Sequence, residues 1–220
     1  MDADSLTPPQ KRKRRWFQFS LRALLIFTMA CAVAAGLLAR KFDRARHQQE
    51  VADIITKSGG RLTYDYETAN ASAPGPKWLR QLLGQGFFSD VVEVDFNNHT
   101  RISSEDLEQL KVFESLATLD LRDTNITNDE LRGLSGLAQL KELTLAQTCI
   151  SDSGLKYLKD LSGLQSLDLW DTQVTDAGLA DLQSLTQLRE LELPLTNRIS
   201  DAGIDEIQRA LPKCKIGGRR

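Results

Sequence analysis

Reactive side chains are scarce in this chain of 220 residues. Its histidines are His47 and His99, and its cysteines are Cys31, Cys149 and Cys214. None falls in a C-x-x-C, H-E-x-x-H, G-x-S-x-G or phosphate-loop pattern, so no nucleophile, base or metal ligand set stands at a spacing that hydrolysis, redox exchange or phosphoryl transfer uses. Two other polar series recur evenly. Asp152, Asp176 and Asp201 could be read as metal ligands, but each follows a Ser or Thr that opens a helical stretch, where the backbone dipole favours an anion. Thr124, Thr148, Thr172 and Thr196 have no base beside them. They are expected to form a buried polar ladder bonding the loops of adjacent turns, since unpaired polar groups there are costly. The expectation is a protein that is not an enzyme and uses no cofactor and no metal.

What remains is recognition chemistry, and its carriers recur with the chain. From Val91 to Ile216 one pattern, L-x-x-L-x-L-x-x-T-x-I-[ST]-D-x-G-L-x-x-L-x-x-L, is written about five and a half times. Leu116, Leu119, Leu121, Thr124, Ile126, Thr127, Leu131, Leu134 and Leu137 make one copy. Leu140 to Leu161 and Leu164 to Leu185 are the next two, each about 24 residues on. Within a copy, Leu119-Asp120-Leu121 alternates as a short strand does. Leu131, Leu134 and Leu137 suit one buried stripe of a helix. Ser103, Thr127, Ser151, Thr175 and Ser200 stand where a helix N-cap belongs, and Thr127 with Glu130 makes a capping box. Leu211, Cys214 and Ile216 fit L-x-x-L-x-L as a final capping strand, with Cys214 a small buried hydrophobe. Cys149 and Cys214 lie two or more turns apart, and both are expected to be reduced.

A fixed period in this range with this spacing resembles the leucine-rich repeat family. The resemblance implies an α/β solenoid with parallel strands on a concave face and helices on a convex face. Residues pointing outward from the strands then form columns. Glu93, Thr118, Glu142, Ser166 and Glu190 are the first, and Asp95, Asp120, Thr144, Asp168 and Glu192 the second. Asn97, Arg122, Ala146, Trp170 and Pro194 are the third, and Asp123, Gln147 and Asp171 continue the edge. Carboxylates dominate this face, Arg122 is its one cation, and Trp170 stands at its centre between small or flat Ala146 and Pro194. Asp120, Arg122, Asp168, Trp170, Asp171, Glu190 and Glu192 are the candidate partner-binding residues, since Trp is enriched at binding hot spots and acidic neighbours suit a basic protein or peptide. The plainer alternative is a solvated strand face that is charged as a matter of course, with Trp170 packed on a neighbour.

The net charge of −2 conceals a division. Residues 1–46 hold ten Lys or Arg against three Asp or Glu, net about +7; the rest hold 18 against 27, net about −9. Residues 1–15 are expected to be a disordered basic N-terminus ending in the Lys11–Arg15 run. That run could serve nucleic acid, but its neighbours, Trp16, Phe17, Phe19 and the charge-free stretch from Ala23 to Ala39, indicate a membrane instead, and no nucleic-acid partner is expected. Residues 16–40 are read as a transmembrane anchor, with the N-terminus cytoplasmic and the repeats outside the cytoplasm. A cleaved signal peptide at Ala32-Val33-Ala34 is the alternative. Residues 41–90 are read as a juxtamembrane helix from Phe42 to Lys57 and an N-terminal α/β cap. The helix has Val51, Ile54 and Ile55 on one side and Gly59-Gly60 as its stop. A strand from Arg61 to Tyr66 follows, then a short apolar helix with Trp78, Leu79, Leu82 and Leu83. Residues 91–216 are the repeats with their cap strand and 217–220 a tail.

Trp16 to Ile26 resembles the start of a group of bacterial single-pass membrane proteins, many of which carry such repeats. In that group the order helix, Gly-Gly, Tyr-Asp-Tyr and Trp-Leu-Arg-x-Leu-Leu-Gly also precedes them. The resemblance implies a membrane-anchored recognition module for a protein or peptide partner. A non-catalytic scaffold for a membrane or envelope assembly is the runner-up. A cytoplasmic adaptor similar to F-box ubiquitin-ligase repeat proteins is a third reading, opposed by the apolar span and by the lack of an F-box-like module.

Overall fold

The computed structural model describes residues 21–96, 102–195 and 198–218. The Lys11–Arg15 run, Trp16, Phe17, Phe19, Asn97, His99 and Thr196 lie outside them. The chain divides into two units, Met1–Arg40 and Lys41–Arg220. In the first, the described residues belong to helix α1 (Leu21–Lys57), and Leu24, Leu25, Ile26, Phe27, Met29, Val33, Leu37 and Leu38 are exposed. Among the described residues α1 is the one helix long and apolar enough to cross a membrane. The pattern predicts a separate helix starting at Phe42. Instead α1 continues without a break, because no Gly or Pro stands between Gly36 and Gly59 to interrupt it.

In the second unit, α1 ends in a Schellman turn. Gly59 has φ 91°, the Gly60 amide donates to Ile55 O (2.9 Å) and the Gly59 amide to Thr56 O (3.1 Å). The buried stripe of this part of the helix is Ala45, Gln48, Val51, Ala52 and Ile55; Ile54, expected inside, is 41% exposed. Gln48 stays satisfied by donating from Nε2 to Val112 O (3.2 Å). Strand β1 (Arg61–Tyr64) follows and stops short of Tyr66, because Asp65–Thr68 winds into the single turn α2. Next comes α3 (Lys77–Leu83), of which no residue is buried.

The repeats then lay down β2 (Val91–Asp95), β3 (Thr118–Asp120), β4 (Glu142–Thr144), β5 (Ser166–Asp168), β6 (Glu190–Glu192) and β7 (Lys215–Gly217). They form one seven-stranded sheet in chain order: β1 is antiparallel to β2, and each later pair is parallel. Leu119, Leu143, Leu167 and Leu191 are in register across β3 to β6 and essentially fully buried. Ile216 continues that row opposite Leu191, so Cys214 is one rung off the place its spacing predicts. The Cys214 amide donates to Leu211 O as that of Leu188 does to Leu185 O, and the thiol is buried in the slot Leu188 fills one coil earlier. Opposite the sheet run α4 (Ser104–Gln109), a 3-10 turn (Glu130–Leu134), α5 (Asp152–Leu155), α6 (Asp176–Leu182) and α7 (Asp201–Ala210). The second of these is narrower than predicted, because Gly133 sits where a Cβ would stand 2.4 Å from Ser104 O and 2.7 Å from Leu107 Cβ.

Each helix-opening Ser or Thr has its amide taken by a side-chain oxygen, from one of two places. In the first two coils the oxygen is local. Asp106 accepts from the Ser103 amide (2.9 Å) and hydroxyl (2.8 Å). Glu130 accepts from the Thr127 amide (2.8 Å) and hydroxyl, and that hydroxyl holds the Glu130 carboxyl below its ordinary pKa. In the next three coils the oxygen comes from the coil before. Asn128 Oδ1 takes the Ser151 amide (2.9 Å). Asp152 takes the Thr175 amide (2.8 Å) and hydroxyl (2.7 Å). Asp176 takes the Ser200 amide (2.9 Å) and hydroxyl (2.6 Å). The residue three past the cap decides which: it is acidic in Asp106 and Glu130, and glycine in Gly154, Gly178 and Gly203. A Cβ on those glycines would lie 2.5, 2.4 and 2.2 Å from Asn128 Oδ1, Asp152 Oδ1 and Asp176 Oδ1. The glycine therefore makes room for the reaching side chain.

This extends one expectation and corrects another. Asp152, Asp176 and Asp201 do lie in the first turns of their helices, but the first two also tie their coil to the next. The buried Thr124, Thr148 and Thr172 do not bridge turns; each hydroxyl donates to the carbonyl three residues back, at 2.7, 2.6 and 2.7 Å.

Gly178→Ala should destabilise the domain by roughly 1–3 kcal/mol through the clash with Asp152. In an Asp152→Ala background urea denaturation should recover at least about 0.5 kcal/mol of that loss; additive effects would show that the carboxylate is not what requires glycine. Leu145→Ala should cost about 2–5 kcal/mol and Lys159→Ala, on an exposed position, less than about 0.5 kcal/mol.

Candidate binding face

The strand registers place the predicted outward residues in columns. Glu93, Thr118, Glu142, Ser166 and Glu190 stand side by side, as do Asp95, Asp120, Thr144, Asp168 and Glu192. The sheet adds Lys215, opposite Glu190, as a second cation at the end of the first column. Its place is hidden in the sequence because the last coil is closed by a chain one residue shorter between core slots.

In the third column Trp170 is 43% exposed and Arg122 is exposed, but Ala146 and Pro194 are buried, where the alternation predicts open positions. The strands have ended by then. Asp123, Gln147 and Asp171 have φ of 54°, 58° and 55°, a left-handed step that turns each coil away from the sheet. The amides of Asp123 and Gln147 donate to Ala146 O (3.1 Å) and Trp170 O (2.8 Å), so the turn is itself bonded coil to coil.

The face holds one polar constellation across coils. Asp168 Oδ1 accepts from the Trp170 amide (2.9 Å), as Asp120 Oδ1 does from the Arg122 amide (2.9 Å), so both carboxylates brace the turn that presents the next side chain. The other oxygen of Asp168 receives Arg122 Nη2 at 3.4 Å, across the coil that carries Ala146. Arg122, Asp168 and Trp170 are thus brought together. Glu192 is not. Its carboxylate fills the space a Gly217 side chain would need, with Oε2 1.9 Å from that Cβ position, so it leans toward β7 and away from Trp170. Asp171, Glu190 and Glu192 are exposed, and Asp120 is half-buried.

Among the described residues no three His, Cys, Asp or Glu side chains converge as metal ligands. Burial, with the charge of Glu190, pushes the Cys214 thiol up to about 11, which suits a core side chain and not a nucleophile. Cys31 and Cys149 are exposed free thiols.

No protein-family model matches the chain, and no curated protein matches it. Solved structures do resemble it. Internalin C2 from Listeria monocytogenes is 28% identical over 53% of this chain and 48% of its own, with a TM-score of 0.39. A second internalin from the same organism is 23% identical over 55% of this chain and 39% of its own, TM-score 0.38. A leucine-rich repeat protein from Leptospira interrogans is 27% identical over 50% of this chain and 27% of its own, TM-score 0.38. The match spans less than half the length of each. With one short parallel strand per coil, a continuous leucine column and a helix or helical turn returning behind each strand, residues 91–217 form a leucine-rich repeat solenoid.

Proposed function

We propose that this chain is a membrane-anchored recognition module whose acidic strand face binds a basic protein or peptide. The observation that carries the reading is the half-exposed Trp170, held by Asp168 in the middle of a carboxylate-rich sheet. A soluble domain gains by burying a Trp, and this one stands out where an aromatic face and neighbouring anions can meet a cationic side chain. Arg122, Asp168 and Trp170 form the centre; Asp120, Asp171, Glu190 and Glu192 supply the surrounding field. The Arg122–Asp168 pair is solvent-exposed and worth about 0–1 kcal/mol to the fold, so a partner's cation can displace Arg122 at little cost.

The apolar part of α1 supports retention in a bilayer, and the basic N-terminal run supports placing the repeats outside the cytoplasm. Protease added to intact cells or spheroplasts should digest the repeat domain. Protection would overturn the orientation, and a mature chain starting near Ala35 would overturn the retained anchor. For the face, a partner recovered by pull-down from solubilised membranes should bind the Trp170→Ala protein more weakly by at least about 2 kcal/mol. Association should also slow as salt is added. An unchanged affinity in that variant would remove the strand face as the binding site.

A further inference from the structure

A second surface of the unit Lys41–Arg220 has the opposite charge. On α1, Phe42, Arg46, Gln49 and Glu50 recur at i, i+4, i+7 and i+8 and share one side. On α3, Lys77, Arg80 and Gln81 recur at i, i+3 and i+4 and share another. Together they line an open groove of about 910 Å³, toward the upper end of the roughly 300–1,000 Å³ of ligand clefts. The apolar types of Trp78 and Leu82 predict buried positions, but the two are 65% and 72% exposed, on the side of α3 away from Arg80.

Packing fixes the groove. The chain leaving α3 is pressed onto α1: a Cβ on Gly84 would stand 3.6 Å from Gln49 Oε1, and one on Gly86 2.7 Å from Gln48 Oε1. The Phe42 ring is backed by Phe87, with centroids 4.9 Å apart, and half-buried Leu83 also lines the groove. Among the described residues none of Arg46, Lys77 and Arg80 makes an ion pair, although Arg44 of α1 pairs with Glu114 at 2.9 Å. Glu50 is the one carboxylate in the lining. Glu67, which with Arg80 acts on Tyr66, is taken by the Tyr66 hydroxyl (2.9 Å) and the Tyr64 amide (3.3 Å). The neutral polar groups are glutamine amides. Gln49 and Gln85 donate from Nε2 to Asp53 Oδ1 (2.9 Å) and to the Tyr66 hydroxyl. Their Oε1 atoms have no donor among the described residues, so each can accept from a backbone N–H.

We propose that this groove is a second binding site and takes an acidic peptide segment of a partner protein. Carboxylates of the segment pair with Arg46 on one wall and with Lys77 and Arg80 on the other. An apolar side chain between them rests on Phe42 and Leu83, and the segment's backbone meets the glutamine amides. Beyond residue 46 the chain holds 18 basic against 27 acidic residues, so its surface elsewhere repels such a segment and charge directs it here. The cations stand on separate helix sides with neutral amides between them, which suits carboxylates spaced along a chain. Glu50 opposes the closely spaced charges of a nucleic-acid backbone.

The test is calorimetric titration of the full chain in dodecyl maltoside with an acetylated, amidated pentapeptide of four glutamates around one leucine. Saturable binding is expected, weakened at least about tenfold by Arg46→Glu with Arg80→Glu. Arg209→Glu with Lys213→Glu makes the same change of net charge at and just past the end of α7 and should alter the affinity less than twofold. Lys77→Gln, at an exposed position of a helix with no buried residue, should weaken binding at least twofold without disturbing the fold. Equal weakening by the two double variants would reduce the effect to general charge attraction and overturn the site. So would an absence of saturable binding, or equal affinity for a peptide with glutamine in place of glutamate. Equal affinity with glycine in place of leucine overturns the part given to Phe42 and Leu83. Tighter binding of short-chain phosphatidylglycerol or of a twelve-nucleotide single strand, lost in the same variants, assigns the groove to lipid or nucleic acid and overturns the peptide. Self-association of the chain that the groove variants abolish assigns it to a second copy and overturns the partner.

Discussion

A coil of about 24 residues cannot enclose its own leucines, and this constraint governs the domain. The inward side chain of each strand, Leu119, Leu143, Leu167 or Leu191, reaches full burial only because a neighbouring coil covers it. Each such burial contributes roughly 1.5–3 kcal/mol, against about 0–1 kcal/mol for an exposed ion pair such as Arg122–Asp168. The column of leucines therefore holds the fold, and the polar residues decide how closely and in what register the coils stack. The ends need covers for the same reason: β1 and the stripe Ala45, Val51, Ala52 and Ile55 close one end, and β7 with Cys214 and Leu211 closes the other.

Polar closure follows one rule written in two ways. A helix start leaves amides without intrahelical partners, and each cap amide here needs an oxygen. If the third residue past the cap is acidic, the coil supplies its own. If that residue is glycine, the space is open and the previous coil reaches in. The second solution needs two positions in different coils to agree, Asp152 with Gly178 or Asp176 with Gly203, and it links neighbours through charge-assisted hydrogen bonds. It also accounts for the D-x-G text of the repeat. Asp152 and Asp176 serve the following coil, and the glycine admits the side chain the preceding coil sends, Asn128, Asp152 or Asp176.

The parts legible in the sequence were those set by short-range periodicity. Alternation at Leu119-Asp120-Leu121 is enough to assign inward and outward columns, and the Ser or Thr places the helix start in four coils; in the other the 3-10 turn begins at Glu130, with Asp129 and not Thr127 as its N-cap. What escaped depends on reach across coils. Nothing local in Ser151-Asp152 says that the carboxylate points forward to Thr175. Nothing in Leu145-Ala146 says that a left-handed step at Gln147 ends the strand face before Ala146. Glu192 reads as a neighbour of Trp170 by register, yet the absent side chain at Gly217 draws it the other way. The exposure of Trp78 and Leu82 in α3 was hidden for a related reason. Trp78 and Leu82 look like core by type, and only the packing of Gly84 and Gly86 on α1 shows which side of the helix is already occupied.

The two surfaces impose opposite electrostatic requirements on one small domain. Beyond residue 46 the chain carries a net charge of about −9, and a bilayer surface rich in anionic lipid repels such a body over about a Debye length of 8 Å. Arg46, Lys77 and Arg80 instead gather around one groove between α1 and α3, where Glu50 is the one carboxylate. The carboxylates gather on the strand face, where the leucine column and the Asp168 brace hold Trp170 at a fixed height. On the reading proposed for the chain, this segregation points the basic partner to the strand face. A basic partner is drawn to the sheet and gains nothing from the cationic groove, so the two surfaces differ in the ligand they favour by charge alone.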